Sequence, residues 1–146
     1  MHIEKMDHIT DDVVAAFERL MPQLTHHSPP PNRGDLLEMA GSGSTFVFLA
    51  RGGDGCIVGT ATLGIFRTPT GLHGWIEDVV VDQEARRQGI GKALTEACLD
   101  HAREKGLREV NLTSRSSRCY ANQLYLAMGF IRRETNLYRY PLDQGT

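Results

Sequence analysis

Cysteine is scarce in this sequence and unpaired. The 146 residues include three, Cys56, Cys98 and Cys119. An odd number at wide spacing forms neither a disulfide framework nor a CxxC metal or redox pair. An excess of one charge is lacking too. Sixteen Lys and Arg stand against 18 Asp and Glu, a net charge of −2, so no whole-chain basic field favours nucleic acid or an anionic membrane. No apolar run approaches the ~20 residues that span a bilayer. Met1–Asp7 offers no basic segment leading into an apolar one, so secretion is not expected and a cytoplasmic location is. The histidines form no ligand pattern: His26 and His27 are adjacent and diverge, and no HExxH stands anywhere. No metal is expected.

What is present is ordinary globular material, 40% hydrophobic and 23% charged. The length suits a single domain over residues 1–146, large enough to bury a core without staples. Ile3 to Ile9 reads as a strand. Thr10 then caps an acidic first turn, Asp11-Asp12, and an apolar period at Val13, Val14, Phe17 and Leu20 that Pro22 should end. Thr25–Asn32, with three consecutive prolines, is a loop, and Asp35–Ala40 a short helix. Three strands follow, Thr45–Arg51, Ile57–Phe66 and Gly74–Asp82, with Gly59 and Gly64 as weak or bulged points. The period then changes to helical at Ile90, Ala93, Leu94, Ala97, Cys98 and Ala102, and Gly106 closes it. Val110–Thr113 is a strand and Ala121–Met128 a helix. Phe130–Glu134 and Leu137–Tyr140 read as a last strand pair. The order β-α-α-β-β-β-α-β-α-β-β defines an α/β or α+β domain with a mixed sheet.

The chemistry concentrates where the central strand meets the long helix, in Val79-Val80-Val81-Asp82-Gln83-Glu84-Ala85-Arg86-Arg87-Gln88-Gly89-Ile90-Gly91-Lys92. Glycines at such a junction let backbone approach a ligand closely. The first helical N–H groups have no intrahelical acceptor, and with the positive end of the dipole they suit a phosphate or pyrophosphate. Arg86, Arg87 and Lys92 add positive charge. The loop lacks the third glycine of a dinucleotide fingerprint and the GxxxxGK[ST] of a nucleotide loop.

A strand running into Arg86-Arg87-Gln88-Gly89-Ile90-Gly91, followed by a helix carrying Tyr125 and closing in Gly129-Phe130, resembles the GNAT superfamily of acetyl-CoA-dependent N-acetyltransferases. The resemblance covers about Gly74 to Tyr140 in motif and the earlier half only in element order. It implies a GNAT fold, with a mostly antiparallel central sheet splayed between its fourth and fifth strands and roughly four flanking helices. It implies acetyl-CoA as co-substrate, with Val79, Val80 and Val81 beside the pantetheine arm. The backbone from Arg87 through Lys92, with Arg86 nearby, would hold the pyrophosphate.

Amine attack on a thioester needs a base for the amine and a proton for the leaving thiolate. Tyr125 stands where the family places its general acid, a position that equally suits packing of the helix on the sheet. Glu77 is the choice of base, directly or through water. Asp78 faces the other way by strand period, unless a bulge intervenes. The run Ile76–Val81 also looks like that of glucosamine-6-phosphate N-acetyltransferases, where such acids line the amine site. Two positions depart from the family pattern: Thr113 stands where some members carry a catalytic Glu, and Arg118 where many carry an Asn that contacts the coenzyme. Asn122, one turn before Tyr125, is the substitute candidate for coenzyme contact. Arg118 suits either a phosphate or the surface, and Cys119 lacks a His base. The expected acceptor is a small-molecule primary amine, and the His26–Asn32 loop should set its specificity. A protein or peptide amine, or a non-catalytic acyl-CoA sensor, are the alternatives. No nucleic acid or membrane partner is expected. A homodimer is expected only in so far as the family often forms one.

Overall fold

The computed structural model describes residues 1–143. The chain divides into two compact units, residues 1–113 and residues from Ser114 onward. In the first, the order is β1 (His2–Lys5), α1 (Asp11–Leu24), α2 (Arg33–Gly41), β2 (Thr45–Arg51), β3 (Ile57–Thr68), β4 (Gly71–Val81), α3 (Ile90–Glu104) and β5 (Val110–Leu112). A single 3-10 turn, Gln83–Ala85, links β4 to α3. The second unit holds α4 (Cys119–Ala127). The sheet runs β1-β2-β3-β4-β5, antiparallel except for the parallel pair β4–β5. With four α-helices among the described residues, this is the mixed sheet and helix complement expected of a GNAT fold.

Register assigns the two faces of the sheet. Val47 and Leu49 of β2, Ile57 of β3 and Val80 of β4 join Val13, Ala16, Phe17 and Leu20 of α1 and Leu36 of α2 in one buried cluster. On the other face, Ile90, Leu94, Cys98 and Ala102 form the buried stripe of α3. Each large side chain removed from water contributes roughly 1.5–3 kcal/mol, and Leu20, Leu36, Leu49, Leu63 and Leu94 are all fully buried. Cys98 is one of this core's small hydrophobes, its thiol pushed up to about 12 by burial. Gly59 of β3 makes room for α3. A Cβ there would stand 3.1 Å from Leu94 Cδ1, 3.1 Å from the Val80 carbonyl oxygen and 3.3 Å from Ile90 Cγ2.

Several boundaries differ from the sequence expectation. Pro22 lies inside α1 rather than ending it. Its missing N–H costs one hydrogen bond in the last turn, and the helix runs on to Leu24, where Thr25 N–H donates to the Met21 carbonyl at 3.0 Å. Helix α2 begins two residues early because Asn32 and Asp35 form a reciprocal capping box. Gly59 does border a bulge, since Ala50 pairs with Gly59 but Arg51 with Ile57, whereas Gly64 keeps regular register. The expected pair Phe130–Glu134 and Leu137–Tyr140 carries no strand pairing among the described residues. A strand is completed by ladder hydrogen bonds to a neighbour, and no ladder is formed by this segment among the described residues.

Replacing Gly59 by Ala should cost about 1–3 kcal/mol, because one of its close neighbours is backbone that cannot yield cheaply. Gly53→Ala, with nothing within 4 Å of the new atom, should be near neutral. Urea midpoints of the two variants at unchanged m-value check both.

Candidate active site

Strand β5 accompanies β4 for three residues only, Gly74↔Val110, Trp75↔Asn111 and Ile76↔Leu112. Beyond Ile76 the β5-side edge of β4 has no ladder partner among the described residues, and this is the splay between fourth and fifth strands. Asp82 N–H donates to the Val58 carbonyl of β3 at 2.8 Å. The two-residue strand period therefore turns Val80 toward β3 as well, and turns the backbone groups of Val79 and Val81 to the open edge. Arg86 Nε, 3.2 Å from the Val81 carbonyl oxygen, donates to it on that edge.

Glu77 is the first residue of β4 past the parting of the strands. Thr60 faces Val80 and Thr62 faces Glu77, so Asp78 and Val79 together stand against Ala61. This bulge puts Glu77 on the same face as Val80, the face that packs on α1, although three positions separate them. Asp78 takes up the extra residue with φ 51°. That left-handed conformation is one Asp, Asn and Gly tolerate and most residues do not, so backbone geometry accounts for the residue type at Asp78. Glu77 is exposed; partial desolvation, and then the charge of Asp78, still raise its carboxyl above its ordinary pKa.

The loop after β4 is fastened from α1. Arg19 Nε lies 3.3 Å from Asp82 Oδ2, and Arg19 Nη2 also donates to the Ile57 carbonyl. Gln83 N–H donates to Gln23 Oε1 at 2.9 Å. Asp82 also accepts from Glu84 N–H at 3.3 Å, and Ala85 is buried beneath the turn. Sequence reasoning misses Arg19, Gln23 and Asp82 as parts of the site. The acid that ends the strand is the one signal that could have found them.

Beyond this anchor Arg86, Arg87, Gln88 and Gly89 are all exposed. Arg87 has φ 65° and Gly89 φ 78°. A left-handed residue leading into helical ones turns successive N–H groups into a concave nest for an anion. No side chain caps α3, no acid stands in its first turn, and its first backbone bond comes from Ala93 N–H to the Gly89 carbonyl at 3.0 Å. The donors of Ile90, Gly91 and Lys92 thus stay available at the positive end of the dipole. Nothing lies within 4 Å of where a Gly89 Cβ would be. These features fit a bound pyrophosphate.

In the second unit Asn122 Nδ2 donates to the Arg115 carbonyl at 3.0 Å, and Asn122 N–H to the Arg118 carbonyl at 3.0 Å. Asn122 thereby holds the Arg115–Arg118 turn, and both arginines are exposed. Gly129, at φ 102°, reverses the chain so that Phe130 N–H donates to the Tyr125 carbonyl at 3.0 Å. The Phe130 ring then meets the Tyr125 ring edge-on, centroids 5.5 Å apart. That contact explains physically the spacing of Tyr125 and Gly129-Phe130. Among the described residues no three His, Cys, Asp or Glu side chains gather as metal ligands, and no helix is long and apolar enough to cross a membrane.

An uncapped, basic helix start thus lies next in sequence to a strand edge with no ladder partner among the described residues. Residues 10–130 match the acetyltransferase (GNAT) family, and the chain belongs to that family. N-alpha-acetyltransferase 30 of Schizosaccharomyces pombe is 36% identical over 74 residues, which are 51% of this chain and 49% of that protein. The chain thus spans about half the length of such curated relatives. An acetyltransferase of Trypanosoma brucei superposes with a TM-score of 0.74 at 28% identity, covering 96% of this chain and 100% of that one. An aminoglycoside acetyltransferase from an uncultured soil metagenomic sample shares the fold, with a TM-score of 0.78 at 23% identity over 98% of this chain and 96% of that one.

If the bulge fixes the residue type at 78, Asp78→Gly should leave the melting temperature near that of the parent. Asp78→Val should cost about 1–2 kcal/mol for its left-handed backbone. Thermal unfolding of the two variants separates this from any role of the carboxylate.

Proposed function

We propose that the chain, as one domain over residues 1–146, transfers the acetyl group of acetyl-CoA to a primary amine of a small molecule, by direct attack in a ternary complex. The observation that carries the reading is the uncapped N-terminus of α3, entered through left-handed Gly89 next to the unpaired edge of β4. In it, the backbone from Arg87 through Lys92 holds the pyrophosphate with Arg86 beside it, and Val79, Val80 and Val81 flank the pantetheine arm. Acetyl-CoA, when bound, supplies the thioester. Glu77 takes the proton that the attacking amine must lose, directly or through water, and Tyr125 delivers a proton to the departing sulfur. Asn122 acts by shaping the Arg115–Arg118 turn near Tyr125 in sequence. The reaction is placed in the cytoplasm, without metal.

Two supports favour a small cationic acceptor: Glu77 and Asp78 are adjacent acids at the fork, and one protein of the same fold is an aminoglycoside acetyltransferase. A protein amino terminus is the second reading, favoured by the likeness to N-alpha-acetyltransferase 30. Steady-state assays with polyamines, amino sugars and aminoglycosides against short peptides decide between them through kcat/KM.

At about 100 times its dissociation constant, acetyl-CoA should add roughly 2.7 kcal/mol of stability, read as a rise in Tm. No rise would make the Arg86–Lys92 loop an ordinary turn. Tyr125→Phe and Glu77→Gln should each lower kcat by ~10²–10⁴ while that rise persists. If instead the parent turns over no amine, the coenzyme site serves a sensor.

The active form of Glu77 as base is the carboxylate, so kcat/KM should climb with pH through a limb above the usual Glu range. Asp78→Asn removes the neighbouring charge that raises this group, and should move the limb to lower pH. Because the raised pKa disfavours the ionised carboxyl in the folded state, its stabilising contribution is present at acid pH and lost as pH rises through the folded pKa. Glu77→Gln should therefore not lower Tm at neutral pH, which distinguishes lost chemistry from lost fold.

A further inference from the structure

Asp82, the residue after β4, commits every polar group it has to the turn that leads into α3. Its N–H donates to the Val58 carbonyl at 2.8 Å, and its carbonyl accepts from Ala85 N–H at 2.8 Å. Its carboxylate accepts from Glu84 N–H through Oδ1 and from Arg19 Nε through Oδ2, each at 3.3 Å. Arg19 Nη2 donates in addition to the Ile57 carbonyl of β3. One guanidinium on α1 therefore joins β3 to the turn after β4. One helical turn on, Gln23 Nε2 donates to the Arg19 carbonyl at 3.4 Å, while Gln23 Oε1 accepts from Gln83 N–H at 2.9 Å.

Arg33 provides an internal comparison. It makes the same two kinds of bond, to the Ile9 carbonyl at 2.7 Å and to the Asp11 carboxylate, and its side chain is 47% exposed against 46% for Arg19. The acids differ: the Asp11 side chain is 99% exposed and that of Asp82 16%. A pair made to a freely exposed acid fixes little. A pair made to an acid otherwise bonded throughout the turn passes its position on to the turn. That turn leads to Arg87 at φ 65°, a backbone state that persists in a residue other than glycine only where its surroundings impose it.

We propose that Arg19 is a positioning residue for the coenzyme: acting through Asp82 and without touching acetyl-CoA, it holds the Asp82–Ala85 turn so that the donors from Arg87 through Lys92 are in place before the pyrophosphate arrives. The inference rests on the acetyl-transfer reading and deepens it. Donors set in advance bind more tightly, because the cost of ordering the loop does not fall on the binding step. The pyrophosphate is held alike before and during acetyl transfer, so the effect falls on KM for acetyl-CoA and leaves kcat unchanged. A general attraction between Arg19 and an anionic ligand is a different mechanism, and charge separates the two. By Coulomb's law alone, removing the Arg19 cation weakens anion binding, whereas removing the Asp82 anion tightens it. Positioning requires that both removals weaken it.

Calorimetric titration of the full chain with acetyl-CoA tests this. Arg19→Gln and Asp82→Asn should each raise the dissociation constant roughly tenfold, and the double variant no further than either single one, as coupled residues do. Arg19→Lys keeps the charge but not the fork, and should recover only part of the loss. Arg33→Ala should leave the constant unchanged. With an amine that the parent acetylates, kcat at saturation should stay within about twofold of the parent. Should Arg19→Gln fail to fold, the direction of the Asp82→Asn change decides alone. Unchanged binding in Arg19→Gln, tighter binding in Asp82→Asn, full recovery in Arg19→Lys, or losses that multiply in the double variant overturn the proposal while the acetyl-transfer reading stands. A parent that binds no acetyl-CoA overturns both.

Discussion

Strand β4 keeps its ladder with β3 along nearly its whole length, while β5 accompanies it for only the Gly74–Ile76 stretch. Most of the geometry around Glu77 and the open strand edge depends on that mismatch. Where β5 stops, β4 keeps its ladder with β3 and has no ladder partner on its other edge among the described residues, and such an edge is a template for another extended group. At the same point the strand takes in one extra residue. The bulge preserves the ladder with β3 on either side of Asp78 and turns Glu77 onto the face of Val80. Without it, Glu77 and Val80 would lie on opposite faces, and the carboxyl would be turned away from α1. The register thus sets which face the exposed Glu77 carboxyl shares, and partial desolvation there raises it.

The fork alone would bind nothing specifically. Its second half is the way α1 holds the β4–α3 connection. Arg19 pairs with Asp82, and Gln23 accepts from the Gln83 N–H, so both bonds come from one helical face four residues apart. The loop beyond is then anchored at its start by these bonds and at its end by the buried Ile90. Between these anchors the left-handed Arg87 and Gly89 turn backbone donors outward. The Arg19–Asp82 pair is partly exposed and adds little stability by itself. Its effect is positional, fixing where the nest begins relative to the end of β4.

The main elements were legible because their signals are local. Thr45–Arg51 is read from β-branched and aromatic density to the residue, and the start of α3 at Ile90 from the change of period. The glycine loop was legible for the same reason, since donors at a helix start follow from residue type and position. The bulge at Asp78 was not. Period-two parity treats Glu77 and Asp78 as equivalent alternates, and only the pairing with Thr60 and Thr62 decides between them. An arginine at φ 65° is equally silent, because nothing in its side chain announces a left-handed backbone. Phe130–Tyr140 failed for a different reason: its residues favour a strand, but a strand also needs a neighbour, which local sequence does not supply. The Asn32–Asp35 box could have been read from its spacing and would have corrected the start of α2.

The start of α3 carries two opposed demands. A helix entered through Gly89 with no side-chain cap forgoes only a few tenths of a kcal/mol that a Ser or Asp there would contribute. An acid in its first turn would add a few tenths more through the dipole, yet none is present. Both omissions keep the donors of Ile90, Gly91 and Lys92 free for an anion. The compensation lies a turn further along, where Ile90, Leu94, Cys98 and Ala102 bury a continuous stripe against the sheet. Gly59 permits that contact by having no side chain between α3 and the Val80 carbonyl. Burial of Ile90 and Leu94 alone, at roughly 1.5–3 kcal/mol each, outweighs the missing cap several-fold. A glycine in the neighbouring strand therefore allows the helix to leave its own first turn unsatisfied. The stability of α3 and the openness of its N-terminus come from different residues, so the site can stay uncapped without loosening the fold.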